Sequence, residues 1–496
     1  MAARLSKSRV MAALQCERRL WLEVHQPALA RVSASTQAAF SQGYAVGELA
    51  QQLYSAVHGA GHLLEYDGGL AAAVERTAQL LADPADTRPI YEATFQHQGI
   101  LVRLDVLLRD PAGVQMIEVK SSTRLKPEHL TDCAIQAWVA RGTGLEIRRM
   151  ALAYIDNLFV YQGNGDYRGL LVEQDITSEV MALQARVPEW LAAAQVAAAG
   201  AQEPVVAPGK RCVTPYECAF MQHCWPGGVA YPVQSLGGDR EFLGSFVAAG
   251  YRDLRDVPAE RLTRADHQRI QAVTRAGTPQ LEPVAGNFVR GLSFPRYFLD
   301  FETVGPAVPL FAGTRPYEAL PFQFSCHVVA ADGRTEHRGF LDLSGTDPSR
   351  GCAEALLEAL DEAGPVLVYT SYEQRVIAAL AARYPELGLR LALLGARVVD
   401  LHPITRRHFY HPDMQGSWSL KKILPVVAPD LSYGAGELQD GSAASAAWFE
   451  ARRPDTTAER RAVLAAELTR YCALDTEGLL RLTRYLSTEG TEGTGP

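Results

Sequence analysis

The stretch ILVRLDVLLRDPAGVQMIEVKSS, residues 100–122, decides the fold of the first half of the chain. Its two apolar runs flank Asp110-Pro111-Ala112-Gly113, a turn signal, and read as paired strands. Three ionisable side chains stand inside these runs: Asp105, Glu118 and Lys120. Charged groups in an apolar strand need a reason. Residues two apart on a strand project from one face, so Glu118 and Lys120 point together, and Asp105 can meet them from the neighbouring strand. Two carboxylates suit a hard cation such as Mg²⁺ or Mn²⁺, and the ammonium can orient a water or meet developing negative charge. The alternative is a surface salt bridge at a strand edge.

Outward from this pair, apolar spacing predicts helices within residues 1–60, in SRVMAALQCERRLWLEV (8–24) and QGYAVGELAQQLYSAV (42–57). A strand-like segment starts at Ile90. A helix is expected over about 128–141, bearing Gln136, and a strand pair in RRMALAYIDNLFVYQG (148–163). An Ala-rich helix over about 177–199 leads into a cysteine-bearing loop over 205–228. That loop holds RCVTPYECAFMQHCW (211–225), in which Cys212, Cys218 and Cys224 are separated by five residues each, and Cys16 sits in the opening helix. Four thiolates can hold zinc or a 4Fe–4S cluster, and the short C-x2-C knuckle usual for zinc is absent. His223 is a spare ligand or a neighbour. The remaining cysteines, Cys133, Cys326, Cys352 and Cys472, lie among apolar residues and read as buried thiols.

Residues 231–290 read as short helices, REFLGSFVAAG, LRDVPAERL and ADHQRIQAVTRAG, in a helical linker. A second β-rich start follows at FPRYFLDFETV (294–304). Asp300 and Glu302 share one face of this strand by the same period-2 rule. Strand-like GFLDL and PVLVYT come next, and the long helix AERRAVLAAELTRYCALDTEGLLRLTRYL (458–486) closes the domain. On that helix Tyr471 and Asp475 are four apart and so share a face. Glu373, in TSYE, starts a helix, and Asp400, in ARVVDLHP, is the alternative third acid. Two metal ions need about four carboxylates drawn from several elements, and a tyrosine hydroxyl can position the attacking water. Scattered surface acids are the bland alternative. The tail STEGTEGTGP, residues 488–496 above all, is expected to be disordered.

The order Asp105, Glu118-x-Lys120, Gln136 resembles the PD-(D/E)XK nucleases of the RecB type. That resemblance implies a restriction-endonuclease-like α/β domain over 1–230, with Glu48 as an early metal-binding acid. One cysteine before the core and three after it is similar to the iron–sulfur clasp of AddB-type and CRISPR-associated RecB-like nucleases. It implies a 4Fe–4S cluster on Cys16, Cys212, Cys218 and Cys224. The set Asp300, Glu302, Glu373, Tyr471 and Asp475 resembles the DEDDy branch of the DnaQ-like exonucleases. It implies a ribonuclease H-like domain over 291–487 that binds Mg²⁺ or Mn²⁺ and degrades strands 3′ to 5′. The segment FLDFETVGPAVPLFAGTRPYEALPFQFSCH (298–327) also looks like an uncharacterised bacterial family that couples the two domains. In it Arg315, Tyr317 and Gln323 are either substrate contacts or packing residues.

The chain of 496 residues is long enough for two or three domains with cores of their own. The N-terminus has no uninterrupted apolar core and no small-residue cleavage site, so no signal peptide is read and a cytoplasmic location is expected. No apolar run is long enough to span a bilayer. The net charge of −8 runs mildly against a nucleic-acid binder, although carboxylate-rich sites account for part of it and basic clusters remain at Arg124–Lys126, Arg148–Arg149 and Lys421–Lys422. The expectation is a metal-dependent nuclease acting on single-stranded DNA or DNA ends in repair or defence, with RNA still open. The alternatives are a nucleic-acid-binding scaffold with one or both sites inactive, and an iron–sulfur redox regulator.

Overall fold

The apolar runs on either side of Asp110 and Gly113 pair as antiparallel strands, Val106 opposite Ile117 and Asp110 opposite Gly113. The computed structural model describes residues 5–65, 69–110, 113–360, 363–431, 438 and 440–488. Pro111 and Ala112 of the expected turn, and residues 489–496 of the tail expected to be disordered, lie outside the described residues. The fold is α/β. Contacts divide it into two units, Met1–Trp225 with Pro306–Tyr317, and Pro226–Gly305 with Glu318–Pro496.

The first unit opens with helices α1 (Lys7–Gln15), α2 (Glu17–His25), α3 (Ala34–His58) and α4 (Gly69–Ala82). Strands β1 (Ile90–His97), β2 (Ile100–Asp110) and β3 (Gly113–Lys120) form an antiparallel meander. Helix α5 (Pro127–Gly142) then crosses over to β4 (Ile147–Ile155), which lies parallel to β3, and β5 (Leu171–Asp175) pairs antiparallel with β4. Two short strands, Leu5–Ser6 and His62–Leu63, complete the sheet, and α6 (Val187–Ala199) packs beside α1 and α2. The crossover helix is buried along most of its length because β3 and β4 place it over the sheet. Ile135, Met116, Leu104 and Leu152 are fully buried in one cluster there.

Two local expectations are corrected. The second strand of the pair expected within 148–163 is instead β5 at 171–175, since Asp156–Leu170 forms a loop held by Asp156 N donating to Leu170 O at 2.8 Å. The Ala-rich helix is broken at Gln184–Arg186.

The second unit begins with α7 (Arg240–Ala248) and α8 (Ala265–Ala276). Its sheet consists of β6 (Arg296–Val304), β7 (Leu320–Val329), β8 (Thr335–Leu341), β9 (Val366–Val368) and β10 (Val398–Asp400), in the order β8-β7-β6-β9-β10. Strand β7 is antiparallel to both neighbours, whereas β9 is parallel to β6 and to β10. Between the strands lie α9 (Ser349–Ala359) and α10 (Tyr372–Arg383). After them come α11 (Leu420–Val427), α12 (Gly441–Ala451) and α13 (Ala458–Ser487). Alternation decides the two faces of β6. Tyr297, Leu299 and Phe301 enter a core shared with α9 and α10, and Phe298 enters one shared with Leu479 and Leu480 of α13.

The segment 231–290 is built into this second unit rather than standing as a separate linker. Gln280–Leu281 pairs with Phe409–Tyr410, and the Arg269 guanidinium donates to the carbonyls of Arg406 and Arg407. Conversely, 306–317 joins the first unit, where Tyr161 N donates to Thr314 O at 3.0 Å and Tyr167 Oη to Pro309 O at 3.0 Å.

Candidate metal centres

Asp105 sits where β2 changes the face its apolar residues bury. Ile100, Val102 and Leu104 belong to one cluster, Val106 and Leu108 to another. On β1, between the pairs Tyr91–Val106 and Ala93–Leu104, Glu92 takes φ +59, a conformation that costs a non-glycine residue free energy. Asp105 Oδ2 accepts from Val119 N at 2.8 Å, which ties it to β3. Glu118 is 1 % exposed and its two oxygens are taken up separately. Oε1 accepts from Lys120 Nζ at 2.6 Å and Lys7 Nζ at 3.1 Å, and Oε2 accepts from Gln136 Nε2 at 2.8 Å. The four expected residues therefore come together. Glu48 lies on the rim, exposed, lining the same cleft of about 1130 Å³ as Asp105 and Glu118.

Sequence reading missed two members of this cluster, Lys7 and Asp132. Asp132 lies one turn before Gln136 on α5 and accepts from Lys7 Nζ at 2.9 Å, Lys120 Nζ at 2.9 Å and Gln136 Nε2 at 3.1 Å. Its i, i+4 relation to Gln136 is the signal that marked it. Lys7, more than a hundred residues from its partners, carries no local signal. Burial opposes the Asp132 charge, but Lys120 and Lys7 hold its carboxyl well below the usual range, and the same carboxylates raise both lysines despite their burial. Asp105 has no ammonium bonded to it. Burial, then Glu118, pushes it up to about 7. Removing one partner from a buried charge cluster strands the others. Asp132→Ala is accordingly expected to destabilise the first unit by about 3 kcal/mol, read as a lower midpoint in urea. An unchanged midpoint would mean the cluster has no such role.

The four cysteines of the predicted clasp border one small cavity, together with Arg18, Arg19 and Arg211. Cys16 stands in an extended break between α1 and α2, not within a helix as expected. Gln15 Nε2 bonds the carbonyls of Arg211 and Tyr216 at 2.6 and 2.7 Å, and Cys218 N donates to Cys212 O at 2.9 Å, so helix and loop are tied on both sides of the sulfurs. Burial raises the Cys218 and Cys224 thiols, and each feels Cys212 and Cys16 as well. Cys224 is pushed up to about 12. His223 turns aside, with Nε2 2.9 Å from Glu203 Oε1.

In the second unit Asp300 and Glu302 project from β6 toward α13. With Cys472 they form a group whose ligand atoms all lie within 4.8 Å of one another, the one such group among the described residues. The Cys472 thiol is raised strongly by burial and donates to Asp300, with Sγ 3.8 Å from Asp300 Oδ2. Its chemistry here is that of a neutral donor behind a carboxylate. Asp300 is pushed well up by burial, then by Asp475, Glu302 and Glu373. Burial and Asp475 push Glu302 up to about 8, against the pull of Lys421, and Asp440 adds to the push. Burial pushes Glu373 up to about 7. Asp400 adds to that push, and a hydrogen bond with the Asp300 side chain opposes it. Glu373 Oε2 is buried without a hydrogen-bond partner.

Tyr471, 4 % exposed, has its phenol raised by burial and then by Asp475, Glu302 and Asp300, and the Lys421 ammonium lies 5.5 Å from its ring centroid. All five expected residues thus gather. Asp400, the alternative third acid, caps backbone through Oδ1, which accepts from Thr370 N at 2.9 Å and His402 N at 2.8 Å, and it lies near enough to raise Glu373. Lys421 and Asp440 were not foreseen. Asp440 is the N-cap of α12, a position that Asp-Gly-Ser announces, but nothing local places it by Glu302.

Gln323 is a packing residue, 2 % exposed, donating to Leu468 O at 2.9 Å. Tyr317 and Arg315 fall in the first unit, where the Tyr317 hydroxyl bonds the Ser121 carbonyl next to Lys120.

Residues 297–419 match the model of a family described as "Domain of unknown function (DUF2779)". The match spans Asp300, Glu302, Glu373 and Asp400 and stops before Lys421, Tyr471 and Asp475. No curated protein matches the chain. Among the described residues no helix is long and apolar enough to cross a membrane.

Proposed function

We propose that the protein is a metal-dependent nuclease with two separate phosphodiester-hydrolysing centres, one in each unit, and a structural iron–sulfur cluster in the first. The observation that carries this reading is the convergence of Asp300, Glu302, Glu373 and Asp475 beside Tyr471. Glu302 and Glu373 are buried and Asp300 half-buried, Asp475 raises both Asp300 and Glu302, and one Glu373 oxygen is orphaned, a set of carboxylates that a cation would stabilise.

The strand order β8-β7-β6-β9-β10 with β7 reversed supports a ribonuclease H-like domain, and the meander, crossover helix and parallel β4 support a PD-(D/E)XK domain.

The donor sets fit the groups in question. Asp300, Glu302, Glu373 and Asp475 offer hard oxygen ligands suited to Mg²⁺ or Mn²⁺, as do Asp105 and Glu118. Such ions, when bound, polarise a phosphate oxygen and lower the pKa of a coordinated water. Burial and the neighbouring carboxylates raise the Tyr471 phenol, which favours a hydroxyl that positions the water. In the first unit Lys120, also held protonated, is placed to steady negative charge on the phosphate, while Gln136 fixes the Glu118 carboxylate. For the clasp, four thiols beside three arginines suit an anionic thiolate cluster.

The test is cleavage of end-labelled single-stranded DNA and RNA with Mg²⁺ or Mn²⁺ by wild type, Asp105→Ala and Asp300→Ala. Loss in one variant assigns the activity to that centre. No metal-dependent cleavage in wild type under any condition leaves the binding-scaffold reading in its place.

A second measurement needs no substrate. Glu302 and Glu373 have folded pKa values above their unfolded ones, so their contribution to stability is fully present below the unfolded value and is lost as pH rises through about 7 to 8. The metal-free protein should therefore melt lower at pH 8.5 than at pH 6. Mg²⁺ should restore several degrees at the higher pH and little at the lower. Equal Mg²⁺ effects at both pH values would contradict the ligand assignment.

A further inference from the structure

Beyond the acids, the second unit contains a cavity of about 730 Å³ that neither nuclease pattern explains, of a size usual for small-molecule sites. One wall comes from the segment 234–270 and the other from the ends of β9 and β10 and the loop before α11. Gly416 locks the walls together. It takes φ +70, and a Cβ there would lie 1.5 Å from Ser235 O. Two lining residues lie close in sequence to the second centre. Thr370, in its lining, precedes Glu373 by three residues and donates its amide to Asp400, and Leu420 precedes the Lys421 that sits over Tyr471.

Four observations give the cavity its chemistry. The charged side chains that border it are Arg264, Arg406 and Asp266. Both guanidiniums lean on that one carboxylate, at 2.6 and 3.5 Å, which leaves a net positive charge. Helices α8 and α11 both begin at the lining, and neither N-cap residue, Arg264 or Ser419, makes a side-chain cap. In α8 the Asp266 carboxylate already accepts from His267 N at 3.0 Å, so it is the α11 start, with no side-chain cap, that favours an added anion. His267, in the first turn of α8, is 1 % exposed and borders the cavity with the Gly237 backbone as its polar neighbour. Neither ring nitrogen makes a hydrogen bond of ordinary geometry. A neutral imidazole always carries one N–H, so an acceptor is called for on the cavity side. Finally, Thr370 takes φ +100, a costly conformation for a β-branched residue and one that strained binding loops retain.

We propose that this cavity is a nucleotide subsite. It takes the phosphate of a nucleotide on Arg264, Arg406 and His267 and the base against the Tyr369 and His402 rings, which meet edge-on at 5.4 Å. The choice of a nucleotide over another organic phosphate rests on the nuclease reading of the neighbouring acids. The nucleotide has two sources, a unit of the bound strand or a free nucleoside monophosphate.

The experiment uses the full chain carrying Asp105→Ala and Asp300→Asn, so that neither proposed centre cuts the strand, and three probes: labelled oligothymidylate, thymidine 5′-monophosphate and inorganic phosphate. Arg264→Ala/Arg406→Ala is compared with Arg334→Ala, which removes an exposed arginine from a distant turn. The paired variant should weaken oligothymidylate binding about tenfold or more and flatten its salt dependence, with Arg334→Ala unchanged. A parallel loss for the free monophosphate assigns the site to free nucleotide as well, and loss for the strand alone assigns it to a strand phosphate. Ser417→Glu, which brings a carboxylate to the lining without touching either arginine, should reproduce the loss. Unchanged affinity for all three probes in both variants overturns the proposal. Cleavage by protein with intact Asp300 is measured alongside. A cleaving enzyme with unaffected binding refutes the subsite alone. Arginine-dependent binding by a protein that never cleaves refutes the nuclease reading alone.

Discussion

Asp300→Asn is expected to lower Mg²⁺-dependent cleavage by the second centre by about 10³-fold, roughly 4 kcal/mol of barrier. The substitution keeps shape and the hydrogen bond from Cys472 but removes the charge around which Glu302, Glu373 and Asp475 are arranged. Asp300 is half-buried, and burial together with Asp475, Glu302 and Glu373 disfavours its negative form, an effect that a bound cation would oppose. Losing it should abolish metal binding rather than tune it. The same variant should be more stable than wild type without metal, because one member of a mutually repelling set is gone, and should lose the second unit's share of the stabilisation by added Mg²⁺. Cleavage and Mg²⁺-induced stabilisation must therefore fall together. A variant that loses activity yet keeps the full Mg²⁺ shift would show that the cation sits elsewhere. Retained cleavage would assign all activity to Asp105 and Glu118.

Cys218→Ala is expected to remove iron and the broad visible absorbance from the purified protein and to destabilise the first unit by on the order of 5 kcal/mol. Cys16 and Cys212 stand about 200 residues apart, so a shared cluster restricts the unfolded chain strongly. Local packing adds to this, because Cys218 is buried with Trp21, Leu22 and Phe220. Iron content, absorbance and the unfolding midpoint form the readout. Wild-type protein prepared without oxygen that contains zinc, or no metal, removes the cluster. A Cys218→Ala protein that keeps iron removes this residue from the ligand set. The four cysteines all belong to the first unit, so Asp300-dependent cleavage is expected to outlast the loss.

Much of both centres was legible because strands and helices have short periods. Alternation alone put Glu118 beside Lys120 and Asp300 beside Glu302, and the helical repeat put Tyr471 on the face of Asp475. The same periodicity failed where no regular repeat applies. Cys16 was read as helical, although the chain turns extended for that one residue. The partner of β4 was placed before the loop at 156–170 instead of after it, because apolar content alone does not mark which run finds an edge to pair with.

The two acid patterns and the four-cysteine spacing were determined by sequence alone, since each depends on residue type and local period. Which groups join them was decided by tertiary structure. Lys7 reaches Glu118 and Asp132, Lys421 and Asp440 reach Glu302 and Tyr471, and residues 234–270 line a cavity within the second unit. The strand pair within 100–122 shows the division most plainly. Its sequence carried Asp105, Glu118 and Lys120, but the charge each side chain holds depends on neighbours brought in from α1 and α5, because Coulomb interactions in a buried site follow distance in space and not position along the chain.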